Sequence, residues 1–136
     1  MILYVNGDSH TAAAEAVNDY AFANDDRLYY GLGRQPHPDN LQVSYGCLVA
    51  NQLSAVLHCD AESASSNSRI IRTTRNYLRE YTPDAVIIGW STWEREEWLH
   101  DEIYWQVNAG GVGHDWPDPI KERYKEYIVN LSGHLS

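Results

Sequence analysis

The chain has 136 residues, of which 43% are hydrophobic, and a formal net charge of −9. This length suits one domain, which we expect to span residues 1–136. The negative charge argues against nucleic acid or an anionic membrane as a partner, because affinity for phosphate depends mainly on lysine and arginine. With no apolar stretch of membrane-spanning length and no recognisable signal peptide, the sequence predicts a cytoplasmic protein.

The first predicted strand leads directly to a serine. Apolar residues 2–5 are followed by Asn6 and then by Gly7-Asp8-Ser9-His10, and the alanine-rich run 11–16 predicts a helix after them. Ligands of open parallel sheets bind in the crevice beyond the carboxyl ends of the strands. Ser9 is therefore a candidate nucleophile, with helix capping by Asp8 or Ser9 as the simpler alternative.

The next part of the chain predicts a crossover from a helix to a second strand. Turn formers dominate residues 24–40, which predicts a long surface excursion, and Gly31-Leu32-Gly33 within it is too weak a pattern for a dinucleotide site. A helix near 43–55 precedes the buried strand 55–59. Cys47 and Cys59, in this helix and strand, are expected to be buried free thiols.

A polar loop over 60–68 leads to a helix that Ser66 is placed to cap. One helical face carries apolar residues, and the opposite face carries arginines. On an acidic protein these arginines are expected to be solvated rather than to bind phosphate. The apolar face comprises Ile70, Ile71, Thr74, Leu78 and Tyr81, and the arginines are Arg69, Arg72, Arg75 and Arg79.

The last third of the chain predicts one more strand and one more helix. Residues 85–89 form a β-branched run typical of a parallel strand, and Asp118-Pro119 begins an amphipathic helix. Between them, the acidic residues of segment 94–97 are expected on a solvated helix rather than as the separated carboxylates of a glycosidase. Three strands separated by helices predict a doubly wound α/β sheet in the order 2-1-3.

The three segments after the predicted strands resemble, in order and spacing, the first three blocks of the SGNH (GDSL-like) hydrolases, a family of serine esterases and acylhydrolases. Gly7-Asp8-Ser9 matches the first block, and Pro83-Asp84-Ala85-Val86-Ile87-Ile88-Gly89 matches the approach to the third. Segments 66–74 and 89–98 are similar to SGNH-like proteins of tailed bacteriophages, including cyanophages. The resemblance implies a three-layer, flavodoxin-like parallel sheet that is shortened at its C-terminal end.

The same resemblance implies a site. Ser9 is the implied nucleophile, and its own backbone N–H is one implied oxyanion donor. Ser65, in the second block, and Ser91 or Asn67 are the candidates for the other donors. The Asp-x-x-His block that supplies the family's base is missing, so the base is sought in His114, with His10, His134 or a partner chain as alternatives. The implied substrate is a small ester or an acylated carbohydrate, without metal or other cofactor.

A second hypothesis is a catalytically degenerate SGNH scaffold that binds carbohydrate. Trp90, Trp93 and His10 are the candidate substrate-binding residues of either hypothesis. Most of the five tryptophans are nevertheless expected in the core, because aromatic side chains usually supply buried area. The apolar edge of a shortened sheet predicts self-association into a homo-oligomer.

Overall fold

The computed structural model describes residues 1–23, 34–111 and 116–135. Gly31-Leu32-Gly33 and most of the predicted surface excursion lie outside the described residues. The elements are β1 (Ile2–Asn6), α1 (Ser9–Ala12), α2 (Pro38–Leu41), α3 (Tyr45–Leu53), β2 (Val56–Cys59), α4 (Asn67–Glu80), β3 (Ala85–Ile88), β4 (Glu96–His100), β5 (Ile103–Val107) and α5 (Asp118–Leu135).

A three-stranded parallel sheet in the order β2-β1-β3 forms the centre of the mixed α/β fold, which confirms the predicted strand order. Tyr4 of β1 pairs with His58 of β2 and with Val86 of β3, so all three strands run in register. The side chains of β1 from Leu3 to Asn6 are fully buried, whereas Val86 on the edge strand is exposed. The core of this sheet is thus concentrated on its central strand.

Helices cover both faces of the sheet. Alternate side chains of β1 point to opposite faces, so each face presents side chains to a helix. Leu3 and Val5 pack against Ala50 of α3. On the other face, the Asn6 amide donates hydrogen bonds to side-chain hydroxyls of α4, at 2.7 Å to Thr73 and 2.9 Å to Thr74. Two tyrosines on the same face, Tyr4 and Tyr77, stack with their ring centroids 4.1 Å apart.

A β-hairpin and the last helix form a second hydrophobic cluster. Strands β4 and β5 pair antiparallel, with Trp98 opposite Trp105, and pack on α5. The helix predicted over 94–97 is therefore wrong, since Glu96 and Glu97 lie in β4. The hairpin turn places Asp101 and Glu102 at φ 49° and 66°, a backbone conformation usually taken by glycine or asparagine, so the turn leaves little trace in the sequence.

The predicted helix over the alanine-rich run 11–16 is also wrong, because α1 ends at Ala12. The next residue, Ala13, has a left-handed φ of 51° and ends the helix. The side-chain oxygen of Asn40 then accepts hydrogen bonds from the backbone N–H groups of Val17 and Asn18, at 2.9 and 2.7 Å. A tertiary contact thus fixes the residues directly after the alanine-rich run.

Helix α4 was predicted correctly, but its buried face was not. Ser66 caps the helix by accepting a hydrogen bond from the Arg69 N–H at 3.1 Å. Arg69 itself is buried, while Ile71, Leu78 and Tyr81 of the predicted apolar face are exposed. The helix is rotated relative to the prediction because ion pairs hold its arginines: Arg69 pairs with Glu62, and Arg72 with Glu97 of the hairpin at 2.6 Å.

The two cysteines differ in burial. Both are free; Cys47 is only partly buried, so its predicted burial is wrong, whereas Cys59 is buried as predicted. Burial raises the pKa of the Cys59 thiol to about 11, which keeps it protonated and unreactive at neutral pH. None of the helices in the described parts of the chain is long and apolar enough to cross a membrane.

Two glycines at strand ends are required by close packing around one hydroxyl. A Cβ on Gly7 would lie 2.1 Å from Thr11 Oγ1, and one on Gly89 would lie 2.3 Å from the same atom. We expect Gly7→Ala to lower the free energy of unfolding by about 3 kcal/mol, because the buried Thr11 has no space to move into. Chemical denaturation measures this change.

Gly133 of α5 is the matched control, since nothing lies within 4 Å of a Cβ built there. Gly133→Ala is expected to leave stability unchanged or to raise it by up to about 1 kcal/mol through helix propensity. Equal stabilities of the Gly7→Ala and Gly133→Ala variants would contradict the packing described.

Candidate functional site

The carboxyl ends of the three parallel strands meet in one place, and an asparagine joins two of them. The Asn67 side-chain oxygen accepts a hydrogen bond from the Ser91 N–H at 2.7 Å. The Asn67 amide in turn donates to the Ser91 carbonyl at 3.2 Å. This pair of bonds fixes the loop after β3 to the first residue of α4. The carboxamide thus serves to hold the two loops together.

Arg95 connects the loops after all three strands. Its Nη1 donates to Ser91 Oγ at 2.9 Å and lies 3.5 Å from the Ser65 carbonyl and 3.4 Å from Asp8 Oδ2. We call the junction of these loops the strand-end crevice and assign to it Asp8, Ser9, Ser65, Asn67, Ser91 and Arg95. Arg95 was missed by the sequence analysis, because nothing in its local pattern indicates a contact with a residue 87 positions away.

Ser9 is the first residue of α1 and is partly exposed. The helix cap is Asp8, whose carboxylate accepts a hydrogen bond from the His10 N–H at 3.0 Å. Neither the hydroxyl nor the backbone N–H of Ser9 forms a hydrogen bond with any residue that the structure describes. Capping therefore accounts for Asp8 and leaves both polar groups of Ser9 available.

No histidine within residues 1–23, 34–111 and 116–133 is hydrogen-bonded to Ser9. The His10 Nδ1 lies 3.4 Å from Asp8 Oδ1, but its side chain is 93% exposed. The His58 Nε2 lies 3.1 Å from Asp60 Oδ1, and its ring contacts Tyr77 of α4. His114, the predicted base, lies outside the described residues, and the same holds for the side chain of His134.

The hydroxyl of Ser91 donates no hydrogen bond to a residue that the structure describes. Its oxygen accepts a hydrogen bond from Arg95, so its proton is left for another acceptor. The adjacent positive charge strengthens such a donor. The Ser91 side chain thus has the free donor that the predicted oxyanion role requires.

Ser65 has no such free donor. Its hydroxyl and its backbone N–H both donate to the carbonyl of Glu62, at 2.7 and 3.1 Å, and its side chain is fully buried. The hydroxyl oxygen also accepts from Arg69 Nη1 at 3.1 Å. This geometry does not favour Ser65 as an oxyanion donor, because its polar groups serve the loop itself.

A buried carboxylate, that of Glu62, stabilises the loop between β2 and α4. Glu62 is 2% exposed and pairs with Arg34 Nε at 3.0 Å and with Arg69 Nη2. Burial lowers the pKa of the Arg69 guanidinium, and the negative charge of Glu62 opposes that shift. The two charges are stable in this interior because each compensates the other.

The tryptophans divide into core and surface residues. Trp98, Trp105 and Trp116 belong to the cluster around the hairpin and α5, as expected for most of the five. Trp90 and Trp93 are 61% and 64% exposed and lie in the segment between β3 and β4. These two side chains and His10 are accessible to a ligand.

Among the described residues there is no group of three histidine, cysteine or acidic side chains that suits a metal ion. The chain matches no family model, no curated protein and no solved structure. The functional assignment therefore depends on the geometry of the strand-end crevice and on the chemistry of its residues.

We expect the buried Glu62 charge to be essential for the loop beneath the crevice. Glu62→Gln leaves Arg69 without its compensating charge and should lower the free energy of unfolding by about 3 kcal/mol or more in chemical denaturation. The control is Glu122→Gln, which removes an exposed ion pair with Lys125 and should change stability by less than about 1 kcal/mol. Similar losses in the two variants would contradict the role assigned to Glu62.

Proposed function

We propose that this protein is a serine hydrolase of the SGNH type that cleaves an ester or acetyl group, with Ser9 as its nucleophile. The observation that carries the proposal is the Ser9 hydroxyl, which lies at the end of the central strand without a hydrogen bond to any described residue. Its chain neighbour Asp8 contacts Arg95, which also bonds Ser91. A nucleophile and candidate oxyanion donors thus belong to one connected set of loops.

The proposed reaction is acyl transfer through Ser9. The Ser9 oxygen attacks the substrate carbonyl carbon while its proton passes to the imidazole of His114, the proposed base. The carbonyl oxygen becomes an oxyanion that accepts hydrogen bonds from the Ser9 N–H and the Ser91 hydroxyl. The bond to the leaving oxygen then breaks, and that oxygen takes the proton from the imidazolium. Water repeats these steps on the acyl-Ser9 ester and releases the acid.

The finer fold assignment is part of the same proposal. The strand order β2-β1-β3, with α3 and α4 on opposite faces, supports a three-layer, flavodoxin-like sheet of the SGNH type. After β3 the described chain continues as an antiparallel hairpin and α5.

The nucleophile and base are tested by hydrolysis of p-nitrophenyl acetate and butyrate. Ser9→Ala should reduce the rate to the uncatalysed background, and His114→Ala should lower kcat/KM by about 100- to 10,000-fold. Ser68→Ala, at an exposed serine of α4, should retain the activity. Hydrolysis by a folded Ser9→Ala variant at the native rate would refute the proposed nucleophile.

The oxyanion role of Ser91 predicts a loss of rate without a loss of fold. Ser91→Ala removes one donor and one acceptor of Arg95 but keeps the backbone bonds to Asn67 and the other contacts of Arg95, so kcat should fall by about 100-fold while the protein stays folded. Thr92→Ala, at the exposed neighbouring position, is the matched control and should keep the native kcat. A Ser91→Ala enzyme with native kcat would show that Ser91 donates no bond to the transition state.

A second candidate function is a catalytically inactive binding protein on the same scaffold. Two observations favour it: no described residue is placed as a base for Ser9, and Trp90 and Trp93 are exposed in the segment that follows β3. This alternative predicts no hydrolysis above background by the folded native protein with either ester. Activity that depends on Ser9 would exclude it.

A further inference from the structure

A groove outside the strand-end crevice has the size of a ligand site. It has a volume of about 780 Å³ and lies between segment 93–98 and α5. Pockets for small molecules usually fall between about 300 and 1,000 Å³. We call it the hairpin–helix groove; it is lined mainly by Trp93, Trp98, Glu94, Glu126, Arg123 and Asn130.

The groove combines a rigid aromatic floor with an exposed aromatic rim. Trp98 and Tyr127 are buried and meet edge to face with their ring centroids 5.9 Å apart. The Tyr127 hydroxyl donates a hydrogen bond to the Glu94 carbonyl, which fixes α5 to segment 93–98. Trp93, on the rim, is 64% exposed. A wide indole surface of this kind offers contact area to a flat apolar face of a ligand at little entropic cost.

The polar groups of the groove both donate and accept hydrogen bonds. The carboxylates of Glu94, Glu96 and Glu126 accept, whereas the Arg123 guanidinium and the Asn130 amide donate. Such planar groups suit ligands that carry many hydroxyl groups, each of which is both donor and acceptor. A sugar ring has these hydroxyls at its edge and C–H groups on its faces, which match an indole.

The charged residues of the groove oppose an anionic ligand, because three carboxylates face one arginine, Arg123. Arg123 and Glu96 both contact Trp98: the guanidinium lies 4.5 Å from the ring centroid, and Glu96 accepts a hydrogen bond from Trp98 Nε1 at 2.6 Å. We infer that the hairpin–helix groove binds an uncharged oligosaccharide, with Trp93 as the stacking platform.

The hairpin–helix groove and the strand-end crevice are separate sites to which one chain segment contributes. Glu94 and Glu96 line the groove, whereas Arg95 between them reaches Asp8 and Ser91 in the strand-end crevice. The two sites therefore share one chain segment. Binding in the groove requires no reactive serine, so it stands even if the proposed hydrolysis fails.

The test is calorimetric titration of the full-length Ser9→Ala variant with uncharged hexasaccharides. The probes are the β-1,4-glucose, β-1,4-N-acetylglucosamine and α-1,4-glucose hexamers, each at low salt and in about 0.5 M NaCl. At least one should bind saturably and independently of salt. Adding Trp93→Ala should weaken this binding by about tenfold or more, and Asn130→Ala should weaken it as well. Adding Tyr20→Ala, at an exposed aromatic residue outside the groove lining, should change it by less than about twofold.

Three results would overturn the inference. The first is the absence of binding by all three glycans up to about 10 mM. The second is an equal loss in the Tyr20→Ala and Trp93→Ala backgrounds, which would place the glycan elsewhere. The third is binding of hexalysine that disappears in about 0.5 M NaCl while no glycan binds, which would assign the groove to a cationic peptide. Circular dichroism of each variant verifies that it is folded.

Discussion

One carboxylate removed from water organises the loops around the candidate site. Glu62 is buried after β2, and its charge is compensated by Arg34 and Arg69. An uncompensated charge in such an interior costs several kcal/mol, so these groups hold one another in place. Arg69 also donates to the hydroxyl of Ser65, whose carbonyl faces Arg95. A continuous set of polar contacts therefore runs from the buried charge to the crevice.

The last contact of this set reaches Asp8, the residue before the candidate nucleophile. Arg95 faces Asp8, the residue that caps α1 and precedes Ser9. Because Arg95 also donates to Ser91, the hydroxyl of Ser91 keeps its own proton for a ligand. The same short segment that carries Arg95 forms one wall of the hairpin–helix groove. Segment 94–96 thus connects the loops of the parallel sheet to the hairpin unit, and both candidate sites include residues of this segment.

Elements could be predicted from the sequence where their local pattern agrees with the tertiary structure. The apolar runs of β1, β2 and β3 form the parallel sheet, so their order could be predicted, and Ser66 caps α4 through contacts within its own segment. Long-range polar contacts carry no such local signal. The burial of Arg69 depends on Glu62, and the early end of α1 is followed by turns that Asn40 holds from a distant part of the chain. The role of Arg95 was missed for the same reason.

The role of Ser9 as a nucleophile is tested by covalent labelling with a fluorophosphonate, followed by peptide mass spectrometry. We expect one phosphonyl adduct, on the Ser9 side chain within the peptide that follows β1, because only a hydroxyl activated by a base displaces the fluoride. An unlabelled, folded native protein, or an adduct on any serine other than Ser9, would contradict the assignment of Ser9 as a nucleophile.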